Sequence, residues 1–125
     1  MLSDARVVAF TATTQPERAK VFYRDRLGLK LAEESQYALV FAAGTTMLRV
    51  QIVAAYEPHV FTMLGWDVPD IRATVAELRE RDIELMVVPF IEQDPAGIWW
   101  TPNGDGVAWF KDPDGNTLSL TQFAQ

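Results

Sequence analysis

An internal repeat limits the fold of this chain more than any other feature of its sequence. The first half predicts a strand, a helix and three further strands, at 6–12, 16–27, 29–34, 37–42 and 47–53. The second half predicts the same series, at 59–68, 70–82, 84–88, 107–111 and 116–122. Each half therefore reads βαβββ, which indicates an α+β fold built from two similar modules.

The last two predicted strands form a hairpin from Val107 to Gln122. Its turn is Asp112-Pro113-Asp114-Gly115, in which proline presets the first corner and glycine can take a left-handed conformation. On the outgoing strand two leucines alternate with hydroxyl residues, so one face is apolar and the other is polar. Ser119 belongs to the hydroxyl face.

The two halves differ in length. A shift of 55 residues aligns the helices and a shift of 70 aligns the last strands, so the second half contains 70 − 55 = 15 additional residues. The obvious place for them is 89–106, which includes the pair Trp99-Trp100. Long loops in compact domains are usually functional, so this segment predicts a ligand-facing loop or an added hairpin.

Composition excludes several classes of protein. With 125 residues, 49% of them hydrophobic, the chain predicts a single domain, 1–125, with modules at about 5–54 and 59–123. It has no cysteine, which excludes disulfides and thiolate chemistry and favours a cytoplasmic location. The sequence shows neither a secretion signal nor a membrane-spanning run. A net charge of −6 disfavours nucleic acid and anionic membranes, and slightly favours a cationic or neutral ligand.

Three motifs point to a known family: Phe22-Tyr23 followed by Leu27-Gly28, Val68-Pro69-Asp70, and the run from Phe110 to Asn116. With these motifs the chain resembles, over nearly its whole length, the vicinal oxygen chelate superfamily of glyoxalases, bleomycin-resistance proteins and extradiol dioxygenases. The resemblance implies a glyoxalase-like, cavity-enclosing curved sheet with the helices outside, and a homodimer. Whether the modules pair within one chain or across two stays open.

The resemblance also implies where a metal would bind. Family members that use a metal hold it with His, Glu or Gln at four places, which correspond within about one residue to Val8, Arg49, Met63 and Ser119. Valine offers no donor atom, arginine repels a cation, and a thioether suits only soft metals. We therefore expect no metal and no other cofactor.

The candidate ligand-binding residues follow from the same comparison. The expected cavity is lined by apolar side chains and by the added loop, at Val8, Phe10, Phe61, Met63, Trp99 and Trp100, and its polar contacts come from Arg49, Gln51 and Ser119. A guanidinium on a central strand needs a partner, which is either a carboxylate such as Glu34 or Glu84 or an anionic group of the ligand. We expect Trp109 in the core or in a dimer contact, and Trp66 beneath a helix.

These residues support two main hypotheses. The first is a metal-free protein that binds a small, partly aromatic molecule, as the resistance proteins do. The alternative is a metal-dependent lyase, isomerase or dioxygenase with an unusual ligand set, such as His59, Gln51 and a glutamate. A dimerisation module with a vestigial cavity is a third. No catalytic constellation is evident in the sequence, so catalysis itself stays open.

Overall fold

The computed structural model describes every residue from Met1 to Gln125 and contains two compact units, 1–58 and 59–125. The first unit contains strands β1 to β4, helix α1 and a π-helical turn: β1 (Val8–Thr13), α1 (Pro16–Lys20), the turn (Val21–Arg26), β2 (Lys30–Glu34), β3 (Ala38–Ala43) and β4 (Thr46–Ile52). The second contains β5 (Thr62–Asp67), α2 (Ile71–Glu80), β6 (Trp99–Trp100), β7 (Gly106–Lys111) and β8 (Thr117–Gln122). The predicted α+β class with two βαβββ modules is confirmed.

Each unit has one four-stranded sheet with the same topology. The strand orders are β1-β4-β3-β2 and β5-β8-β7-β6. In both sheets the first and last strands of the module pair in parallel, and the remaining pairs are antiparallel. Neither sheet closes into a barrel. None of the helices is both long and apolar enough to cross a membrane.

The first sheet packs one face against the helical segment. We call this its helix face; Leu39, Phe41, Leu48 and Val50 lie on it and are fully or almost fully buried. The ring of Tyr23, in the π-helical turn, lies 5.6 Å from the ring of Phe41. The opposite face, here called the far face, carries the alternate residues: Val8, Phe10, Val40, Met47, Arg49 and Gln51.

The second sheet is organised in the same way. Its helix face carries Trp66 and Phe110, whose rings stack 6.3 Å apart, and α2 contributes buried Ile71, Val75 and Leu78. Trp66 therefore lies on the helix face of its sheet. The far face carries Gly65, Trp99, Val107, Trp109 and Ser119.

The helix boundaries follow the sequence signals. The Asp70 carboxylate accepts a hydrogen bond of 3.1 Å from the backbone N–H of Ala73, which makes it the predicted cap of α2. Pro16 occupies the first turn of α1, and Gly28 adopts φ of +78° just after the helical segment. The sequence did not predict the widening of that segment into a π-helical turn.

The terminal hairpin is confirmed, and a single side chain holds its turn. Asp112 Oδ1 accepts hydrogen bonds from the backbone N–H groups of Asp114 at 3.0 Å and Asn116 at 2.9 Å. Asp112 Oδ2 accepts a third from the Asn116 amide at 2.7 Å. Gly115 has φ of +92°, the left-handed conformation predicted for it.

The strand predicted at 84–88 is wrong. Only Leu85 forms a bridge, opposite Phe110, and the edge strand of this sheet is β6 instead. The apolar residues of 84–88 suggested a strand, but the Gln93 side chain bonds to Val88 N and Met86 O and so replaces a strand partner. The strand predicted from 59 begins only at Thr62.

Replacing Asp112 with alanine should lower the free energy of unfolding by about 2–4 kcal/mol, because three hydrogen bonds to one buried carboxylate are lost. Urea unfolding measures this change. Asp4→Ala, at an exposed aspartate, is the control and should shift stability by less than about 0.5 kcal/mol. An equal effect of the two variants would show that the turn is not held by Asp112.

Candidate functional site

The far face of the first sheet brings together four of the predicted site residues. Phe10 lies directly beside Arg49 in the parallel pairing of β1 with β4, and Val8 and Gln51 occupy the same face. The exposed fractions of Val8 and Phe10 are 37% and 49%, which is high for large apolar side chains on strands. Arg49 is partly buried among them and Gln51 is exposed.

Arg49 has no carboxylate partner within the first unit. Glu34, one of the two partners considered for it, instead pairs with Lys20 of α1. The register explains this, because Glu34 lies opposite Leu39 and so belongs to the helix face. An ion pair between Glu34 and Arg49 was therefore a wrong interpretation, and Arg49 lies between Phe10 and Val40 in the sheet.

A pocket of about 180 Å³ opens beside this far face. Apolar side chains and one arginine are prominent in its wall, which includes Arg6, Ala32, Val40, Ala42, Thr46 and Met47. Val40 and Met47 belong to the far face that carries Arg49. Sequence reasoning missed this pocket, because its wall combines three strands with a residue that precedes β1.

On the second sheet the far face is built around Ser119. Ser119 lies between Gly65 of β5 and Trp109 of β7 and is 8% exposed. Its hydroxyl occupies the space that a side chain at Gly65 would need, since an added Cβ would lie 2.5 Å from Ser119 Oγ. A glycine inside an apolar strand indicates such close approach, so Gly65 is the sequence signal for this contact.

Trp99 and Trp109 stack on this far face with their rings 6.1 Å apart. Trp109 Nε1 donates a hydrogen bond of 3.1 Å to Thr62 Oγ1. The aromatic surface here is therefore formed by Trp99 with Trp109, a residue that the sequence interpretation assigned to the core or to a dimer contact.

Trp100 points to the other side of the sheet. Consecutive strand residues face opposite ways, and Trp100 lies against Gly106 on the helix face. The Arg72 guanidinium lies 5.1 Å from its ring centroid, and Trp100 Nε1 donates to Asp94 Oδ2 at 3.0 Å. The two adjacent tryptophans thus do not share one surface.

The remaining predicted residues lie at the start of the second unit. Phe61 is 60% exposed, and its ring stacks on that of His59 with 4.6 Å between centroids. Met63 falls at an irregularity in the pairing of β5 with β8, between Thr62 and Leu64.

The added segment contains a small hairpin. Gln93 bridges to Trp99, and the turn between them starts at Asp94. Asp94 Oδ1 accepts hydrogen bonds from the N–H groups of Ala96 and Ile98, both at 2.9 Å. This repeats the arrangement at Asp112, so of the two interpretations offered for 89–106 the hairpin describes its centre.

The residues present do not fit the metal that the fold family implies. Val8, Arg49 and Ser119 lie on the far faces, and Met63 falls at the irregularity in β5, but the four offer a hydrocarbon, a cation, a hydroxyl and a thioether. A hard divalent cation needs carboxylate, carbonyl or imidazole donors. No three His, Asp or Glu side chains lie close enough together to hold a metal ion.

A match to a family model shows which superfamily the chain belongs to. The model of the glyoxalase/bleomycin resistance protein/dioxygenase superfamily matches residues 7–120. The chain belongs to this superfamily. No curated protein sequence matches it.

Solved structures of the superfamily share the fold. An antibiotic-binding protein from a Streptomyces species is 24% identical with a TM-score of 0.74, covering 99% of both chains. A bleomycin resistance determinant encoded on the transposon Tn5 is 16% identical with a TM-score of 0.76, covering 96% of this chain and 98% of that one. A lactoylglutathione lyase from Agrobacterium tumefaciens is 20% identical with a TM-score of 0.70, covering 95% and 93%. At these identities the likeness shows the fold alone.

The Asp94 carboxylate should make stability depend on pH. Burial alone would raise its pKa, but hydrogen bonds from Ile98, Trp100 and Ala96 and the charge of Arg72 outweigh burial and hold the pKa below its usual value. A carboxyl with a lowered pKa stabilises the fold above its unfolded pKa and loses that contribution as pH falls through its folded pKa.

Asp94→Asn should therefore be less stable than the parent at pH 7, and the difference should shrink as pH falls below the ordinary carboxyl pKa of 3.8. Urea unfolding of both proteins between pH 7 and pH 3 measures it. A difference that stays constant with pH would contradict this role for the charge.

Proposed function

We propose that this protein binds a small, partly aromatic organic molecule on the far face of its first sheet, and does so without a metal. The observation that carries the proposal is the far face of the first sheet, where Val8 and Phe10 stay substantially exposed around Arg49. Large apolar side chains next to a partly buried cation form the mixture of surface and polar anchor that small-molecule sites contain.

The energetics favour a ligand on this surface. Burying a phenylalanine side chain contributes about 1.5–3 kcal/mol, so leaving Phe10 half exposed forgoes much of that gain. An aromatic ligand would recover it, and the Trp99–Trp109 stack of the second sheet offers a similar surface. The added hairpin holds Trp99 in place through its bridge with Gln93.

Two members of the superfamily support a binding role. The antibiotic-binding protein and the bleomycin resistance determinant share the fold, and their names describe binding or resistance rather than a reaction. For this chain the binding role, the absence of a metal and a homodimer remain proposals. The donor chemistry at Val8, Arg49, Met63 and Ser119 supports the second of them.

Phe10→Ala should weaken binding of an aromatic ligand about tenfold, because truncating a half-covered phenylalanine removes about 1.4 kcal/mol of contact. A panel of hydrophobic and aromatic compounds, titrated by calorimetry and tryptophan fluorescence, first identifies the ligand. Phe123→Ala is a matched control, since Phe123 is 57% exposed and lies outside every strand.

Loss of affinity in Phe10→Ala with no change in Phe123→Ala supports the proposal. Failure of every panel compound to bind the parent protein would refute it. Light scattering of the same samples gives the mass in solution, and a monomer would refute the homodimer.

Purified protein should contain no stoichiometric metal after dialysis, and chelator treatment should leave ligand affinity unchanged, because no suitable set of donors is present. Elemental analysis for Ni, Zn, Fe and Mn measures this. One tightly held metal per chain would overturn the metal-free proposal and favour the enzymes of the superfamily.

A further inference from the structure

We infer that the first unit selects an aromatic acid: one aromatic ring enters the 180 Å³ pocket, and its carboxylate or comparable anionic oxygen binds Arg6 and Arg49. This inference rests on the proposed function and names the chemical class of its ligand. It uses only residues of the first unit, 1–58.

The size of the pocket sets the first limit on the ligand. An apolar cavity of about 150 Å³ holds one benzene ring. The pocket of 180 Å³ beside the far face is therefore large enough for a single aromatic ring. Its apolar wall, with Ala32, Val40 and Met47, suits the ring rather than a polar group.

The positions of the two arginines set the second limit. Arg6 forms part of the pocket wall. Arg49 follows Met47 on the same face of β4, about 7 Å along the strand, and is paired with Val40. A ring held against Val40 and Met47 therefore has Arg6 next to it in the pocket wall and Arg49 beside it on the sheet.

The charge of this face differs in sign from the charge of the chain. Three cations belong to the face or its rim, Arg6 at the pocket and Arg49 and Lys30 through their strand pairing, against one carboxylate, Glu33 opposite Val40. The chain as a whole carries −6. Salt screens distant charges beyond about 8 Å at physiological ionic strength, so the local cations decide which ligand is favoured.

The partial burial of Arg49 gives an energetic reason to expect an anionic ligand. A partly buried guanidinium loses hydration, and no carboxylate of the first unit forms an ion pair with Arg49. An anionic oxygen pair would bind it through two parallel N–H···O bonds, the geometry in which arginine recognises carboxylates best. The overall charge predicts a cationic or neutral ligand, whereas this arrangement favours an anionic one in the first unit.

Benzoate and benzamide test the inference because they share a ring and differ in charge. Two-dimensional ¹H–¹⁵N NMR titration gives both dissociation constants and the amides that shift. We expect benzoate to bind the parent protein at least fivefold more tightly than benzamide, with shifts at Val40, Ala42, Gly44 and Met47. Raising the salt concentration from 50 to 300 mM should weaken benzoate alone.

Three substitutions of equal charge change locate the effect. Arg49→Gln should reduce benzoate affinity to that of benzamide and leave benzamide within twofold of its parent value. Arg6→Gln, at an exposed residue that precedes β1, should reduce the preference about threefold. Arg18→Gln is the control, because Arg18 lies on α1 and bonds to Gln15 at 2.8 Å. The NMR spectra also show whether each variant is folded.

Several outcomes would overturn the inference alone. Equal binding of the two probes, shifts confined to 59–125, or an equal effect of Arg18→Gln would each do so while leaving the proposed function standing. If Arg49→Gln fails to fold, the Arg6→Gln variant decides. An unchanged preference of that variant for benzoate over benzamide overturns the inference. Failure of the entire aromatic panel to bind would instead refute the proposed function.

Discussion

The parallel pairing of the first and last strands of each unit determines which side of the sheet every candidate residue faces. In the first unit this pairing sets Phe10 beside Arg49, and in the second it sets Gly65 beside Ser119. A slip of one residue would send a whole strand's side chains to the opposite face. The buried stripe of Leu48 and Val50 prevents such a slip, because it would bring Arg49 under the helical segment. Burial of apolar side chains on the helix face thus determines which side chains lie on the far face.

The far face of the first sheet departs from what stability alone would favour. The fold leaves Phe10 half exposed and sets Arg49 between it and Val40 without an ion-pair partner, whereas Lys20 of the same unit pairs with Glu34. Apolar area and an uncompensated charge gain little from folding but much from a ligand. This contrast between two faces of one sheet is the physical basis for assigning a binding role, and it does not require a metal.

The sequence predicted the elements whose signals are local. Asp70, Gly28 and the turn at Asp112 act through their own neighbours, so their roles could be read directly from the chain. The sequence interpretation failed where residues distant in the chain compete for the same partner. Gln93 supplies the hydrogen bonds that a strand at 84–88 would have needed, and Lys20 engages the carboxylate suggested for Arg49. The opposite faces of Trp99 and Trp100 depend on a two-residue strand that the sequence did not predict.

The carboxylate turn at Asp112 also bears on the order in which the second sheet assembles. Lys111 and Thr117 pair across six residues, whereas Thr62 and Thr117 pair across 55. Closing the longer loop costs about 2 kcal/mol more in chain entropy. The hairpin of β7 and β8 therefore closes at a lower entropic cost than the pairing of β5 with β8 and can present a formed edge to β5. On this order the contact between Gly65 and Ser119 forms only after the hairpin that carries Ser119.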